Sequence, residues 1–228
     1  MLNIKKFIFI LVFLLNIYLV SADINIARNS YSTGESVQAL LNFSYKPEND
    51  FTINDIGVYS GGMKISVGLF LLKLDSYNYY VYFDVPSVKD GNYTLRLDNY
   101  MYIKNNILYE TSEQSTLQIK SSTDPIISVN PGVAVINIRE RNSFDINIKN
   151  NGNKAANISI KPSNGFASDE LFNLNPGERK NIEIYGINSN KNENVILSYN
   201  NLSYTIPVWI VNALQDIKQN ISAVVHGD

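Results

Sequence analysis

The sequence predicts an all-β protein of two tandem antiparallel β-sandwiches. Three observations carry that reading. Apolar residues recur at period two, as in Val37, Ala39, Leu41 and Phe43 or Phe144, Ile146 and Ile148, the mark of strands with one buried face. Turn-forming pairs such as Gly61-Gly62, Asp90-Gly91, Asn151-Gly152 and Asn200-Asn201 punctuate these runs at short, regular spacing. Between residues 23 and 211 no stretch carries a helical period, and that combination points to sandwiches rather than α/β layers.

A leader precedes the strands. Lys5 and Lys6 come before an apolar run from Phe7 to Val20, followed by Ser21 and Ala22. A basic segment, an apolar segment and small residues at the end form a secretory signal, so residues 1–22 are expected to be a signal helix cleaved after Ala22. The rival reading is a retained N-terminal anchor. The run is shorter than the ~20 apolar residues a spanning helix needs and contains Asn16. Either way the chain is exported to the extracellular space or the cell surface, and the membrane is a partner only through an uncleaved leader.

The first domain is expected over residues 23–121. Ile24 and Ile26 open a strand, and Tyr31-Ser-Thr-Gly34-Glu35 makes a turn. A strand from Val37 puts Gln38, Leu40, Asn42 and Ser44 on its second face. Phe51 to Val58 leads to Gly61-Gly62, Ile65, Val67 and Leu69 alternate again, and Tyr79 to Val85 is rich in aromatic and β-branched residues. Tyr93, Leu95 and Leu97 form the next strand, and Met101 with Ile103 and Leu117 with Ile119 complete the set. Residues 122–125 form a short linker holding Pro125, which leaves little interdomain freedom.

The second domain spans 126–211, with strands expected at Ile126 to Val129, Ala134 to Ile138, Phe144 to Lys149, Ala155 to Lys161, Leu171 to Leu174, Arg179 to Tyr185, Val195 to Tyr199 and Tyr204 to Val208. From 212 to 228 the period changes. Leu214, Ile217, Ile221 and Val224 place one apolar stripe on a short C-terminal helix. That helix docks on the preceding domain, serves self-association or a partner, or is unstructured alone.

Composition excludes several functions. The formal charge of −2 becomes −4 once the two leader lysines are removed, which offers no footprint for nucleic acid. There is no cysteine, so the cores must hold without disulfides, and a lipid-modified N-terminal cysteine, a thioester and a thiolate metal site are ruled out. The single histidine, His226, is the third residue from the end, too far into a terminus to be held in a catalytic cleft. No cofactor, catalytic or metal residues are assigned. Asp75, Asp84, Asp90 and Asp98 lie close in sequence, but Asp90 belongs to a turn and Asp84 alternates with core residues. A loop calcium site remains open.

Two stretches resemble known modules. Tyr31-x-x-Gly34-Glu35-x-Val37, with the later Asp90-Gly91-Asn92-Tyr93-Thr-Leu95, is similar to macroglobulin-type domains, and its Asp-Gly-x-Tyr piece resembles a tyrosine corner. Phe144 to Ile158, followed by Leu174-Asn-Pro176-Gly177-Glu178 to Ile182, resembles the Ig-like repeats of prokaryotic, archaeal-type surface proteins, including cell-adhesion-related and glycosidase-associated domains. In that pattern an Asn-Gly hairpin joins two strands. The resemblances imply two tandem Ig-like antiparallel β-sandwiches and a spacer or adhesion role, because such domains rarely carry chemistry themselves.

Two kinds of surface feature follow. Asn42, Asn92, Asn157, Asn201 and Asn220 each begin an Asn-x-Ser/Thr sequon. Their number is near chance, but Asn42 and Asn157 take the solvent phase of strands and Asn92 and Asn201 sit at turns, so a glycoprotein is expected. If Val81, Phe83 and Val85 are core, Tyr80 and Tyr82 face outward; if Met101 and Ile103 are core, so do Tyr100 and Tyr102. Aligned on adjacent strands, the four would form an aromatic platform for a protein or glycan partner. The plainer reading is strand preference, or cover by the second domain. The chain is thus expected to be a secreted or cell-surface, non-enzymatic structural or adhesion protein whose partners are cell-envelope proteins or glycan. The alternative is an accessory polysaccharide- or peptide-binding module beside a separate exported enzyme or transporter.

Overall fold

The computed structural model describes residues 22–122, 125–189 and 191–211. The leader through Ser21, the helical stripe beyond residue 212 and Asn220 lie outside the described residues. The regular structure of the described residues is strand throughout, apart from a single 3-10 turn at Ile53–Asp55.

The first sandwich holds β1 (Ala22–Ile26), β2 (Ser30–Tyr31), β3 (Ser36–Phe43), β4 (Ile56–Ser60), β5 (Met63–Ile65), β6 (Phe70–Lys73), β7 (Asn78–Asp84), β8 (Gly91–Lys104) and β9 (Ile107–Ile119). One sheet runs β1-β3-β7-β6 and the facing sheet β2-β9-β8-β4-β5. The first strand is split. β1 pairs antiparallel with β3, whereas β2 pairs parallel with β9 in the other sheet. Ala22, expected as the last leader residue, opens β1 opposite Phe43 and is buried.

The second sandwich holds β10 (Ile127–Asn130), β11 (Ala134–Asn137), β12 (Phe144–Asn150), β13 (Ala156–Pro162), β14 (Phe166–Ala167), β15 (Leu171–Leu174), β16 (Arg179–Tyr185), β17 (Glu193–Tyr199) and β18 (Leu202–Val211). Its sheets run β10-β12-β16-β14 and β11-β18-β17-β13-β15, with the same split first strand. Four strands facing five, in this order, is the Ig-like arrangement of an ABED sheet packed on a GFC sheet. The second sandwich differs from the first in one crossing: the chain leaves β13, pairs β14 with β16 in the opposite sheet, then returns to lay β15 beside β13.

Each sandwich has its own core. Val37, Leu41, Phe83, Leu95 and Leu117 sit in the first, and Ile146, Ile158, Ile182, Leu197 and Ile206 in the second. The alternation seen in the sequence is therefore the inside–outside alternation of the pleat. At the predicted corner the Tyr93 hydroxyl donates to the Lys89 carbonyl at 2.7 Å. Two residues on, Leu95 is fully buried, so an apolar side chain fills the place that antibody domains give to a disulfide cysteine.

Three local expectations are corrected. Ile65, Val67 and Leu69 do not share a strand, because β5 ends at Ile65 and β6 begins at Phe70. Asn151-Gly152 is not a hairpin: β12 and β13 belong to different sheets, and the turn carries the chain across the sandwich. Asn150, fully buried, staples that crossing, donating to the Lys154 and Leu174 carbonyls at 2.7 and 2.9 Å and accepting from Gly152 N. Third, Met101 and Ile103 are not core. β8 pairs with β9 in register as far as Leu97, and the register shifts before Tyr100, where Asn99 takes a positive φ of 54°. That one-residue bulge reverses the side-chain phase, so Tyr100 and Tyr102 turn inward and Ile103 is 49% exposed.

Candidate interaction surfaces at the two ends of the first sandwich

The four tyrosines do not make a platform. β7, which carries Tyr80 and Tyr82, and β8, which carries Tyr100 and Tyr102, lie in opposite sheets, so the pairs never adjoin. Tyr80 is 6% exposed, Tyr100 0% and Tyr102 8%, while Tyr82 is half-buried. One pair lies at the junction with the second sandwich and the other at the far pole.

At the junction, the outer face of the β1-β3-β7-β6 sheet meets the Asn130–Val135 segment. Leu74, Tyr80 and Val133 form a third buried cluster, flanked by Leu40, Leu72, Tyr82 and Trp209. Tyr82 is hemmed in by two neighbours. Phe70 stacks on it at 4.7 Å with planes 5° apart, and a Cβ on Gly132 would fall 2.7 Å from its ring. Its hydroxyl donates to Asn130 at 3.1 Å, and burial, followed by the charge of Asp84, pushes its pKa up to about 12. Cover by the second domain is therefore the state of Tyr80 and Tyr82.

Beside this cluster sits a polar network missed in the sequence. The Arg28 guanidinium lies over the rings of Tyr31 at 4.5 Å and Tyr204 at 4.8 Å, and donates to Glu35 at 2.5 Å and to the Tyr204 hydroxyl at 2.9 Å. Glu35 is 4% exposed and also accepts from Ser32 N at 2.8 Å and from the Tyr199 hydroxyl at 2.9 Å. Burial opposes the Arg28 cation, but Tyr204 and Glu35 together outweigh it and raise its pKa above the ordinary value. Further bonds cross nearby: Gln38 to the Gly132 carbonyl at 2.9 Å, Val129 N to the Ser36 hydroxyl at 2.9 Å, and Asn151 to the Gly34 carbonyl at 2.7 Å. Gly34, at φ +83°, is an obligatory glycine here, since a Cβ would also press on Asn151 at 3.1 Å. The Tyr-x-x-Gly-Glu stretch read as a turn thus supplies half of the junction.

The far pole is built differently. β9 runs from Ile107 to Ile119, so the β8–β9 turn stands about 40 Å along the strand from its Ile119 end. β4 pairs with β8 only from Thr94 to Leu97, and beyond it the two strands continue as a ribbon. Asn105 and Asn106, with φ of 52° and 62°, close it as a two-residue turn. Near the tip Ile103 is 49% exposed, Ile107 56%, Leu108 58% and Tyr109 40%. Below them a ladder of rings holds the ribbon: Tyr45 on Tyr102 at 5.0 Å, Tyr102 on Tyr109 at 5.4 Å and Tyr100 on Tyr102 at 5.1 Å. The Tyr100 hydroxyl donates to the Tyr45 carbonyl at 2.7 Å, and Pro47 bridges to Tyr102.

The remaining candidates lie apart. Asp75 holds Tyr77 N and Asn78, Asp84 holds Ser36, Asp90 holds Ser121 and Asp98 holds Tyr59. Among the described residues no three acidic or histidine side chains converge on a metal position. Asn42, Asn92, Asn157 and Asn201 are all exposed.

No protein-family profile matches the chain, and no curated protein matches it in sequence. Among solved structures it is similar to a DUF4785 family protein from Legionella pneumophila, at 14% identity and a TM-score of 0.37, over 82% of this chain and 55% of that one. It is also similar to the D0-D1 domain of intimin, at 10% identity and a TM-score of 0.32, over 82% of this chain and 94% of that one. The Yersinia pseudotuberculosis adhesin InvE follows at 12% identity and a TM-score of 0.31, over 82% of this chain and 58% of that one. The chain thus spans just over half the length of the Legionella protein. At these scores the fold assignment rests on the chain's own sheet order.

Proposed function

We propose that this is an exported, non-enzymatic structural or adhesion component of a cell surface, which presents the far pole of its first Ig-like sandwich to an envelope protein or a glycan. One observation carries the reading. A braced two-stranded ribbon holds Ile103, Ile107, Leu108 and Tyr109 in solvent near its turn, and concentrated apolar exposure of this kind is a feature of interaction surfaces. The ring ladder beneath it supports the reading, because a contact surface held in shape loses little freedom on binding. The leader supports export. The exposed sequons Asn42, Asn92, Asn157 and Asn201 are glycan acceptors in this reading, and an intact mass above that of the bare mature chain tests that part.

The test of the whole is an Ile107→Ser, Leu108→Ser double variant expressed in its own cells. Both side chains are exposed, so the fold should be kept. The expected result is release of the variant from a salt-washed envelope fraction that retains the unaltered protein. Equal retention of the two overturns the reading.

A further inference from the structure

The junction holds a second candidate site, independent of the far pole. A cleft of about 530 Å³ opens where β6 of the first sandwich faces the start of the second. Phe70, Leu72 and Tyr82 line one wall, and Val133, Val135 and the start of β12 the other. That volume lies in the range of ligand pockets, and domain interfaces are where such pockets favour forming.

We propose that this cleft takes an extended peptide segment carrying a lysine or arginine, added as a strand along the free edge of β6. β6 ends its sheet and pairs with β7 alone, so the backbone groups on its other side are open to a further strand. Its four residues offer about 13 Å of edge, enough for four to five residues of partner.

The opposite wall chooses the side chain. Asp145 on β12 and Glu183 on β16 are register partners, both exposed and both lining the cleft. Like charges placed opposite one another across a strand pair repel. The ion pairs of the described residues, Arg28–Glu35, Lys73–Asp50, Arg96–Asp98 and Lys180–Asp169, include neither of them. Arg141, also in the lining, donates to the Val135 carbonyl at 3.3 Å and so leans on the β11 side. A cation arriving between the two carboxylates removes their repulsion and gains two charge-assisted hydrogen bonds. Sugar stacking on Tyr82 is disfavoured, because Phe70 stacks on one face of its ring and Gly132 crowds its Cβ–Cγ end.

The experiment pans a displayed library of random decapeptides against the full chain, with an Asp145→Asn, Glu183→Gln variant as the comparison. Both substitutions keep side-chain shape at exposed positions, and unchanged fluorescence of Trp209, the chain's single tryptophan, verifies the fold. The expected result is enrichment of peptides with Lys or Arg among β-forming residues, whose affinity falls at least ~10-fold on the double variant and at high salt. The Ile107→Ser, Leu108→Ser variant should bind them unchanged, which separates this site from the far pole. The proposal is overturned if no peptide is enriched over the double variant, if the enriched peptides lack a cation or ignore the two substitutions, or if an N-acetylglucosamine tetramer displaces them.

Discussion

Arg28 and Glu35 form an ion pair on which the contact between the two sandwiches leans. The Glu35 side chain is 5% exposed and that of Arg28 22%, so water does little to screen either charge. A buried pair of this kind is not stabilising by its charge alone, because desolvation offsets much of the attraction. Here the remaining groups are satisfied as well: the carboxylate accepts from Ser32 N and Tyr199, and the guanidinium is held between two rings. Losing one member leaves the other buried and unmatched. Glu35→Ala is therefore expected to lower unfolding stability by about 3 kcal/mol, whereas a joint Arg28→Met, Glu35→Leu replacement costs less than the two single changes summed. Urea unfolding followed through Trp209, which packs at this junction, measures both. A joint loss equal to the sum of the two single losses would remove the pair from its assigned role.

The long β8–β9 ribbon is set by a bulge and a turn. Tyr93, Leu95 and Leu97 point inward, and Asn99 adds the residue that lets Tyr100 and Tyr102 do the same. Its φ of 54° is open to asparagine and glycine and strained for a β-branched side chain. Asn99→Gly is expected to change stability by less than about 0.5 kcal/mol, and Asn99→Val to cost about 2 kcal/mol, as calorimetry would register. Similar values for the two would mean that the bulge does not depend on this conformation. The signal was present in the sequence. Inward spacing passes from odd to even positions across Asp98-Asn99, and Asn105-Asn106 is a type I′ turn pair flanked by apolar residues. The bulge makes 93–97 and 101–103 look like separate strands, because strict alternation breaks where Asn99 adds a residue.

Across the whole molecule, the two sandwiches share a contact built from phenols, which gives it an alkaline limit. Burial is the largest cause holding the pKa values of Tyr31, Tyr199 and Tyr204 above the ordinary 10.0. The folded chain thus keeps protons that an unfolded chain has released. The contribution is complete below pH 10 and declines as pH rises through the folded values. The expected outcome is a Tm that these groups leave flat from pH 7 to 9 and that falls from about pH 10 upward, with Trp209 emission changing in parallel. A Tm that rose above pH 10 would show the opposite sign.

Most strand positions, the two cores and the Tyr93 corner were readable from local pattern, because period-two burial is written into neighbouring residues. Ile146, Ile148 and Leu95 are inside for the reason their spacing announces. The fate of Tyr80, Tyr82, Gln38 and Glu35 was not readable in that way. Tyr80, Tyr82 and Gln38 sit on the phase that an isolated sandwich would show to water, Glu35 lies in the turn ahead of β3, and each is covered or half-covered because a second sandwich lies there. Alternation reports which face of a strand a side chain takes, and only contacts between residues about 50 to 160 positions apart decide whether that face meets solvent or another domain.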